Sequence, residues 1–329
     1  MNAATDAHDL IDLPANAVRR HSGSLSPSEL AQYEHDGFLI VRDYFDAAEL
    51  RPVMAEYAAL VDQIAKRLQS AGKIGDTFAQ EPFSRRLTLL EQSYPGCAVL
   101  VMLDGILGKA LADLWATPRL LGAMSQLLGD QVAGHPVWNI RSKTPNNPLT
   151  TVPWHQDAAY LDPVSENTHQ PTAWIPFCNA TSKMGCLQVL RGGHRAGIHR
   201  HRLENTKGDA RSWYLMIDEA DLPHGDIVTC EIPFGSFLLL NQTIPHRSTE
   251  NFSDKIRWSV DLRWQRPDQP SGFDAIKPPI LMRTSDPAFR PDWDVWANHN
   301  RVTAAMSDTA TRDEFDTRVS GPWMDRWKA

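Results

Sequence analysis

"LLLNQTIPHRSTENFSDKIRWSVDLRW", residues 238–264, holds two unlike runs separated by punctuation. The first is apolar and ends at Asn241, with Pro245 four residues on. From Ile256 apolar and polar residues then alternate. A short apolar run bounded by Asn and Pro reads as a buried strand, and alternation reads as a strand with one face in a core. The period of two puts Arg257, Ser259, Asp261 and Arg263 on one face, with Trp258, Val260 and Leu262 on the other. Further runs of this kind, "AGHPVWNIRSK" (133–143), "PTAWIPFCNA" (171–180) and "GCLQVLRG" (185–192), recur from residue 131 with Gly, Pro and Asn between them. An antiparallel sandwich or barrel is the expected core, spanning about 131–268.

The chain before residue 131 has a different texture. Ser26, Pro27 and Glu29 in "SPSELAQYEHDGFLIV" form a capping box ahead of a short helix that Asp36-Gly37 ends, with "FLIV" reading as a strand. Asp46 and Glu49 repeat the start signal, and Leu50, Val53, Tyr57, Val61, Ile64 and Leu68 recur at helical spacing. Residues 25–130 are thus expected as a helical front, residues 1–24 as a loose arm, and the segment after the core as a helix-and-loop tail. No linker divides 25–329, which reads as one domain.

The 329 residues are 42% hydrophobic and 22% charged, with a net charge of -7 and no concentration of Lys and Arg. This argues against a nucleic-acid partner, whose phosphates call for a basic patch. No apolar run is long enough to span a bilayer and the N-terminal residues lack a signal-like apolar stretch, so the expectation is a cytoplasmic protein without membrane contact, monomeric or homodimeric. Cys97, Cys178, Cys186 and Cys230 form no CxxC pair and read as reduced structural thiols.

In "VPWHQDAAYLDP" (152–163), alternation along a strand would aim His155 and Asp157 together and Gln156 away. Taken alone, such a pair is commonly structural. His246, in the opening stretch, adds a third ligand type. Two histidines and one carboxylate on a rigid sheet make the facial triad of non-haem Fe(II) oxygenases, which leaves coordination positions open for a chelating 2-oxo acid and dioxygen. A second carboxylate on that 2-oxo acid needs a planar bidentate donor, and Arg257 supplies one.

Read together, His155, Asp157, His246, Ser248 two positions later and Arg257 eleven later resemble the phytanoyl-CoA dioxygenase-like (PhyH) family of non-haem Fe(II)/2-oxoglutarate-dependent oxygenases. "GCLQVLRGGHR" resembles that family's G-x-L-x-x-x-P-G-S-H turn, with Arg191 and Gly193 replacing Pro and Ser, and "LAQYEHDGFLIV" resembles its N-terminal entry. The likeness runs from about residue 25 to 265. It implies a mainly β fold, a double-stranded β-helix (jelly-roll) with supporting helices. It also implies Fe(II), with 2-oxoglutarate and O2 as cosubstrates, and oxidative decarboxylation to succinate and carbon dioxide coupled to hydroxylation of a small molecule. Relatives that halogenate replace the carboxylate ligand with a small residue; Asp157 is present here.

The same resemblance implies cosubstrate contacts from Ser248, Trp174 and Lys143. For each a bland role competes: turn serine, core tryptophan, solvated strand-end lysine. An inward Lys143 brings Asn139 and Arg141 onto its face as candidate substrate contacts. Gln156, Tyr160 and Asp261 are further substrate candidates; for Asp261, pairing with Arg263 or Arg141 is the more economical role, because a buried carboxylate needs a partner. The basic segment 194–202 is expected to be a loop over the site. Desaturation, epimerisation or cyclisation by the same iron chemistry stays open, as do a cupin-like metal hydrolase or isomerase and a non-catalytic binding protein.

Overall fold

In the computed structural model, the described residues are Asp12, 17–103, Gly105, 107–203, 214–273, 277–296, 314–317, Val319 and 323–327. The expected first capping box is present: Glu29 N–H donates to the Ser26 hydroxyl, and Ser26 N–H donates to the Glu29 carboxylate. It opens α1 (Pro27–Asp36), which Gly37 closes at φ 80°, a left-handed conformation that glycine adopts without a Cβ penalty. Strand β1 (Phe38–Val41) follows, then the long α2 (Ala47–Ser70), α3 (Phe83–Ser93), α4 (Cys97–Leu103), α5 (Lys109–Trp115) and α6 (Pro118–Leu128).

The β region comprises β2 (Val132–Gly134), β3 (Asn139–Lys143), β4 (Thr172–Pro176), β5 (Leu187–Leu190), β6 (Arg202–Leu203) and β7 (Leu215–Met216). It continues with β8 (Ile227–Cys230), β9 (Phe237–Leu240), β10 (His246–Ser248), β11 (Arg257–Gln265) and β12 (Ile280–Arg283). Strands β1, β9, β4, β11, β2 and β12 form the major sheet in that order, with β3 also paired along β11. β10, β5 and β8 form the minor sheet, and β6 pairs with β7. The pairings are antiparallel.

Alternation along the major sheet sorts its residues between two compartments. Trp258, Val260, Leu262 and Trp264 of β11, with Ala173 and Ile175 of β4, join the helices in one apolar cluster. All six periodic residues of α2 are buried there; Tyr57 packs edge-on against Phe177, and Phe83 stacks on Trp258 at 4.5 Å between ring centroids. The opposite face turns toward the minor sheet. At one end Trp174, Leu238 and Leu240 meet Leu187, Val189 and Cys230 in a second apolar cluster; at the other, the polar residues of β3 and β11 line a cavity. This is a double-stranded β-helix with helices on the outer face of its major sheet. Among the described residues no helix is long and apolar enough to cross a membrane, and the four cysteines are free.

The expected arm and tail are described only in part. Much of the 1–24 arm lies outside the described residues, but Arg20 and His21 N–H both donate to Asp43 O, and the Tyr44 hydroxyl donates to Gly23 O, so residues near its end lie against the body. The tail includes α7 (Trp323–Arg326). Residues 204–213, which follow the expected loop, lie outside the described residues.

His135, at the end of β2, is fully buried. Its Nδ1 accepts from Val137 N–H at 3.0 Å and its Nε2 donates to Ser271 O at 2.9 Å, which requires the neutral ring. Burial pushes its pKa down to about 4, against about 6.5 unfolded. Above 6.5 the ring is neutral in both states; as pH falls from 6.5 to 4 only the unfolded chain takes up the proton, so stability is lost across that window. Urea unfolding of His135→Gln at pH 7.5 and 4.5 should show an acid-induced loss smaller than wild type by about 2–3 kcal/mol.

Candidate metal centre

His155 and His246 face each other as a hydrogen-bonded pair. His155 N–H donates to His246 O at 3.0 Å and His246 N–H donates to His155 O at 2.9 Å. This exchange sets two side chains next to each other on one face, and the imidazole centroids lie 4.2 Å apart. Each ring is fixed in the same way: Nδ1 donates to the carbonyl two residues earlier, Pro153 O at 2.8 Å for His155 and Ile244 O at 3.0 Å for His246. That bond selects the tautomer whose Nε2 lone pair points at a shared point.

Asp157 completes the group by a route that alternation does not anticipate. The strand expected through His155 and Asp157 is an isolated bridge at His155 followed by a 3-10 turn, Asp157–Tyr160. The turn is anchored where Ala158 N–H donates to Gln242 O, and it swings the Asp157 carboxylate back toward the histidines. Oδ1 lies 4.0 Å from His155 Nε2. Ligand atoms of His155, Asp157 and His246 all lie within 4.8 Å of one another, the one such trio among the described residues.

The other carboxylate oxygen is fully engaged. Asp157 Oδ2 accepts from Arg263 Nη2 at 2.7 Å and Nε at 3.2 Å, and from the Thr172 hydroxyl at 3.2 Å. Alternation pairs Arg263 with Asp261; it lies 3.9 Å from that carboxylate and binds Asp157 more closely. Burial opposes the charge on Asp157, yet the Arg263 guanidinium and the two imidazoles hold its carboxyl well below the usual carboxylate range. Burial, then the neighbouring His246, push His155 well below its ordinary value and favour the neutral, ligating ring. Two imidazoles and one ionised carboxylate suit a divalent metal with N/O preference.

Strands β3 and β11 carry the remaining polar residues in register: Lys143 opposite Arg257, Arg141 opposite Ser259, Asn139 opposite Asp261. At one end Arg257 is 3% exposed, its guanidinium 5.0 Å from the Trp174 ring centroid, and its Nε and Nη1 have no hydrogen-bond partner. Burial pushes its pKa down to about 10. Lys143, also buried, donates to the Thr151 hydroxyl at 3.2 Å. The Ser248 hydroxyl accepts from Val152 N–H at 3.0 Å, closing the strand beside His246. Arg257, Lys143, Trp174, Ser248 and the trio border one cavity. A buried guanidinium without a counter-charge is costly, and a dicarboxylate that chelates the metal at one end fits this arrangement at the other.

The substrate candidates divide. Asn139, Arg141 and Tyr160 border a second cavity that shares His155 and Asp157 with the first. Asp261 is instead bound to Arg141 Nε at 3.0 Å, the pairing that sequence reasoning favours. Gln156 turns away from both cavities. Its amide donates to Gly197 O and Thr243 O, its Oε1 accepts from His199 N–H, and its backbone N–H donates to His201 Nε2. The described part of the basic loop is thus pinned behind the ligand turn.

The tail contributes support that its sequence does not announce. Arg326 donates to Ala158 O and Leu161 O, Trp327 donates to Ala159 O, and Trp323 packs edge-on against Tyr160. These bonds brace the turn that carries Asp157, and no periodicity in the tail points to them. Of the residues that sequence reasoning misses, Arg263 has the most direct effect on the trio. Arg263→Met should weaken binding of Co(II), as a metal probe, about 10–100-fold, with the circular dichroism of the metal-free protein unchanged.

A sequence model of the phytanoyl-CoA dioxygenase (PhyH) family matches residues 33–259, a span that includes the trio, Ser248 and Arg257. The phytanoyl-CoA dioxygenase domain-containing protein 1 homolog of Dictyostelium discoideum is 26% identical over 259 residues, covering 73% of this chain and 91% of its own. Phytanoyl-CoA dioxygenase domain-containing protein 1 of Bos taurus is 23% identical over 263 residues, covering 71% and 87%. Among solved structures, the non-heme monooxygenase ThoJ matches with a TM-score of 0.52 at 18% identity, over 83% of this chain and 96% of its own. EvdO2 from Micromonospora carbonacea var. aurantiaca matches at 0.50 and 18%, over 83% and 97%; at such identity both likenesses concern the fold. With that fold and a His-Asp-His trio inside the matched span, the chain belongs to the phytanoyl-CoA dioxygenase (PhyH) family of non-haem Fe(II)/2-oxoglutarate-dependent oxygenases.

Proposed function

We propose that this oxygenase hydroxylates a C–H bond of a small molecule, converting 2-oxoglutarate, O2 and substrate to succinate, carbon dioxide and the hydroxylated product. The observation that carries the reading is the buried guanidinium of Arg257, without a hydrogen-bond partner at Nε and Nη1, in the same cavity as the trio. A zinc hydrolase or a structural metal site has no use for such a group. The carboxylate of Asp157 adds to it, since it fills the ligand position that halogenating relatives leave to a small residue.

His155, Asp157 and His246 would hold Fe(II), and Arg257 with Ser248 and Lys143 would hold the distal carboxylate of 2-oxoglutarate. Iron with 2-oxoglutarate and O2 supplies the oxidising power that removes a substrate hydrogen. The chain's own residues do the rest. Pro153 O and Ile244 O keep the Nδ1 protons and leave each Nε2 free to ligate. Arg263 and Thr172 hold one oxygen of Asp157, leaving the other to the metal. Trp174 covers the face of Arg257 and keeps water from its charge, which strengthens the ion pair made there. The second cavity, which shares His155 and Asp157 with the first, would receive the substrate.

Desaturation, epimerisation and ring closure share the removal of a substrate hydrogen with hydroxylation and diverge from it only afterwards. Mass spectrometry of the product, after screening for substrate-dependent succinate release, distinguishes them; succinate release without oxygen gain in the product would overturn hydroxylation. Four free thiols and an Fe(II) centre suit a reducing compartment, which supports a cytoplasmic location.

Arg257→Met should retain iron yet raise the 2-oxoglutarate concentration needed for half-saturation by about 30-fold or more, the loss of a buried charge-assisted pair. Asp157→Ala should lose iron itself. Metal analysis together with anaerobic 2-oxoglutarate titration, monitored by the visible charge-transfer band of the Fe(II) complex, separates the two effects.

A further inference from the structure

The second cavity shares His155 and Asp157 with the first but is not bordered by Arg257. Its walls are Tyr160, Tyr214, Phe273 and Trp323, with aliphatic residues such as Val137 and Val319 between them. Aromatic walls of this kind favour flat apolar ligands by offset or edge-on packing.

The charged groups on these walls are already matched inside the protein. Arg141 is bound to Asp261 at 3.0 Å and Arg263 to Asp157 at 2.7 Å, so two cations balance two carboxylates. His135 is held neutral by its two hydrogen bonds. A charged substrate group would enter a buried space whose described residues offer it no unmatched counter-charge, at a desolvation cost of several kcal/mol. Among the uncharged polar residues of the lining, Asn139 offers an acceptor. Asn139 is 2% exposed, borders the cavity, and its Oδ1 has no hydrogen-bond partner. A carboxamide both donates and accepts, which matches a hydroxyl on a bound molecule.

We infer that the substrate is an uncharged aromatic or polycyclic molecule bearing a hydroxyl group, packed between Tyr160, Tyr214, Phe273 and Trp323, with the hydroxyl donating to Asn139 Oδ1. This rests on the oxygenase reading above and gives it a substrate class. Asn139 acts here as a specificity determinant. The lining separates this class from acyl thioesters of a phosphorylated carrier, because among the described residues no unmatched cation faces the cavity to receive a phosphate.

The test uses the full-length protein loaded anaerobically with Fe(II) and 2-oxoglutarate, with 2-naphthol and 2-naphthoate as probes. Affinity is read by calorimetry and by perturbation of the charge-transfer band. 2-Naphthol should bind at least about tenfold more tightly than 2-naphthoate, and Asn139→Ala should weaken 2-naphthol about three- to tenfold while the band with 2-oxoglutarate alone is preserved. Should Asn139→Ala fail to form the band, Asn139→Ser serves in its place and should bind 2-naphthol with intermediate affinity. Trp323→Ala should weaken 2-naphthol as well. Equal or tighter binding of 2-naphthoate, no binding of 2-naphthol, or unchanged 2-naphthol affinity in the Asn139 variants would overturn the inference. Absence of the band in wild type would instead overturn the oxygenase reading on which it rests.

Discussion

The paired backbone hydrogen bonds between His155 and His246 are the constraint on which the site depends. They join the segment entering the ligand turn to strand β10, and they do so at the two residues whose side chains ligate. In a hydrogen-bonded antiparallel pair the side chains project side by side with little freedom. The rings are then locked by carbonyls two residues upstream, so ligand geometry follows from backbone geometry. A shift of register by one residue would put the two histidines on opposite faces.

Around that bridge the two long polar faces of β3 and β11 run from one chemical environment to another. At Lys143 and Arg257 they present buried positive charge; at Arg141, Asp261 and Arg263 the charges cancel among themselves; at Asn139 a neutral amide stands alone. A single register of antiparallel pairing thus sorts an anionic cosubstrate from a neutral partner. The outer face of the same strands is continuous with the helical core through Trp258, Val260 and Leu262, so the polar gradient is laid on a rigid support.

How much of this is legible in the sequence depends on whether local chemistry or distant contact decides the position. The alternation from Arg257 to Arg263 gives the correct face of β11, because a strand's period is a local property. It does not give partners: Arg263 meets Asp157 across the interior, a neighbour that only the three-dimensional closure of the sheets selects. His155 and Asp157 are recognisable as a pair from their types and spacing, yet the physical route to convergence is a 3-10 turn, since the ladder bonds end at the His155 bridge. Gln156 is polar at a buried position and so resembles a site residue; its hydrogen bonds to Gly197, Thr243 and His199 involve backbone groups that no sequence pattern identifies. Gly185, by contrast, is legible as part of the G-x-L turn, and the structure supplies the reason. It adopts φ 72°, and a Cβ there would collide with Thr249 O.

The contacts made by Arg326 and Trp327 bear on the order in which the chain becomes competent. The carbonyls of Ala158, Ala159 and Leu161 find these donors more than 160 residues downstream. During synthesis, therefore, the barrel strands can emerge and pair while the turn bearing Asp157 still lacks part of its support. The bonds from Arg326 and Trp327 can form only once those residues have been synthesised. Without Arg326 and Trp327 the carbonyls of Ala158, Ala159 and Leu161 would lose these donors, and the ligand turn its buttress.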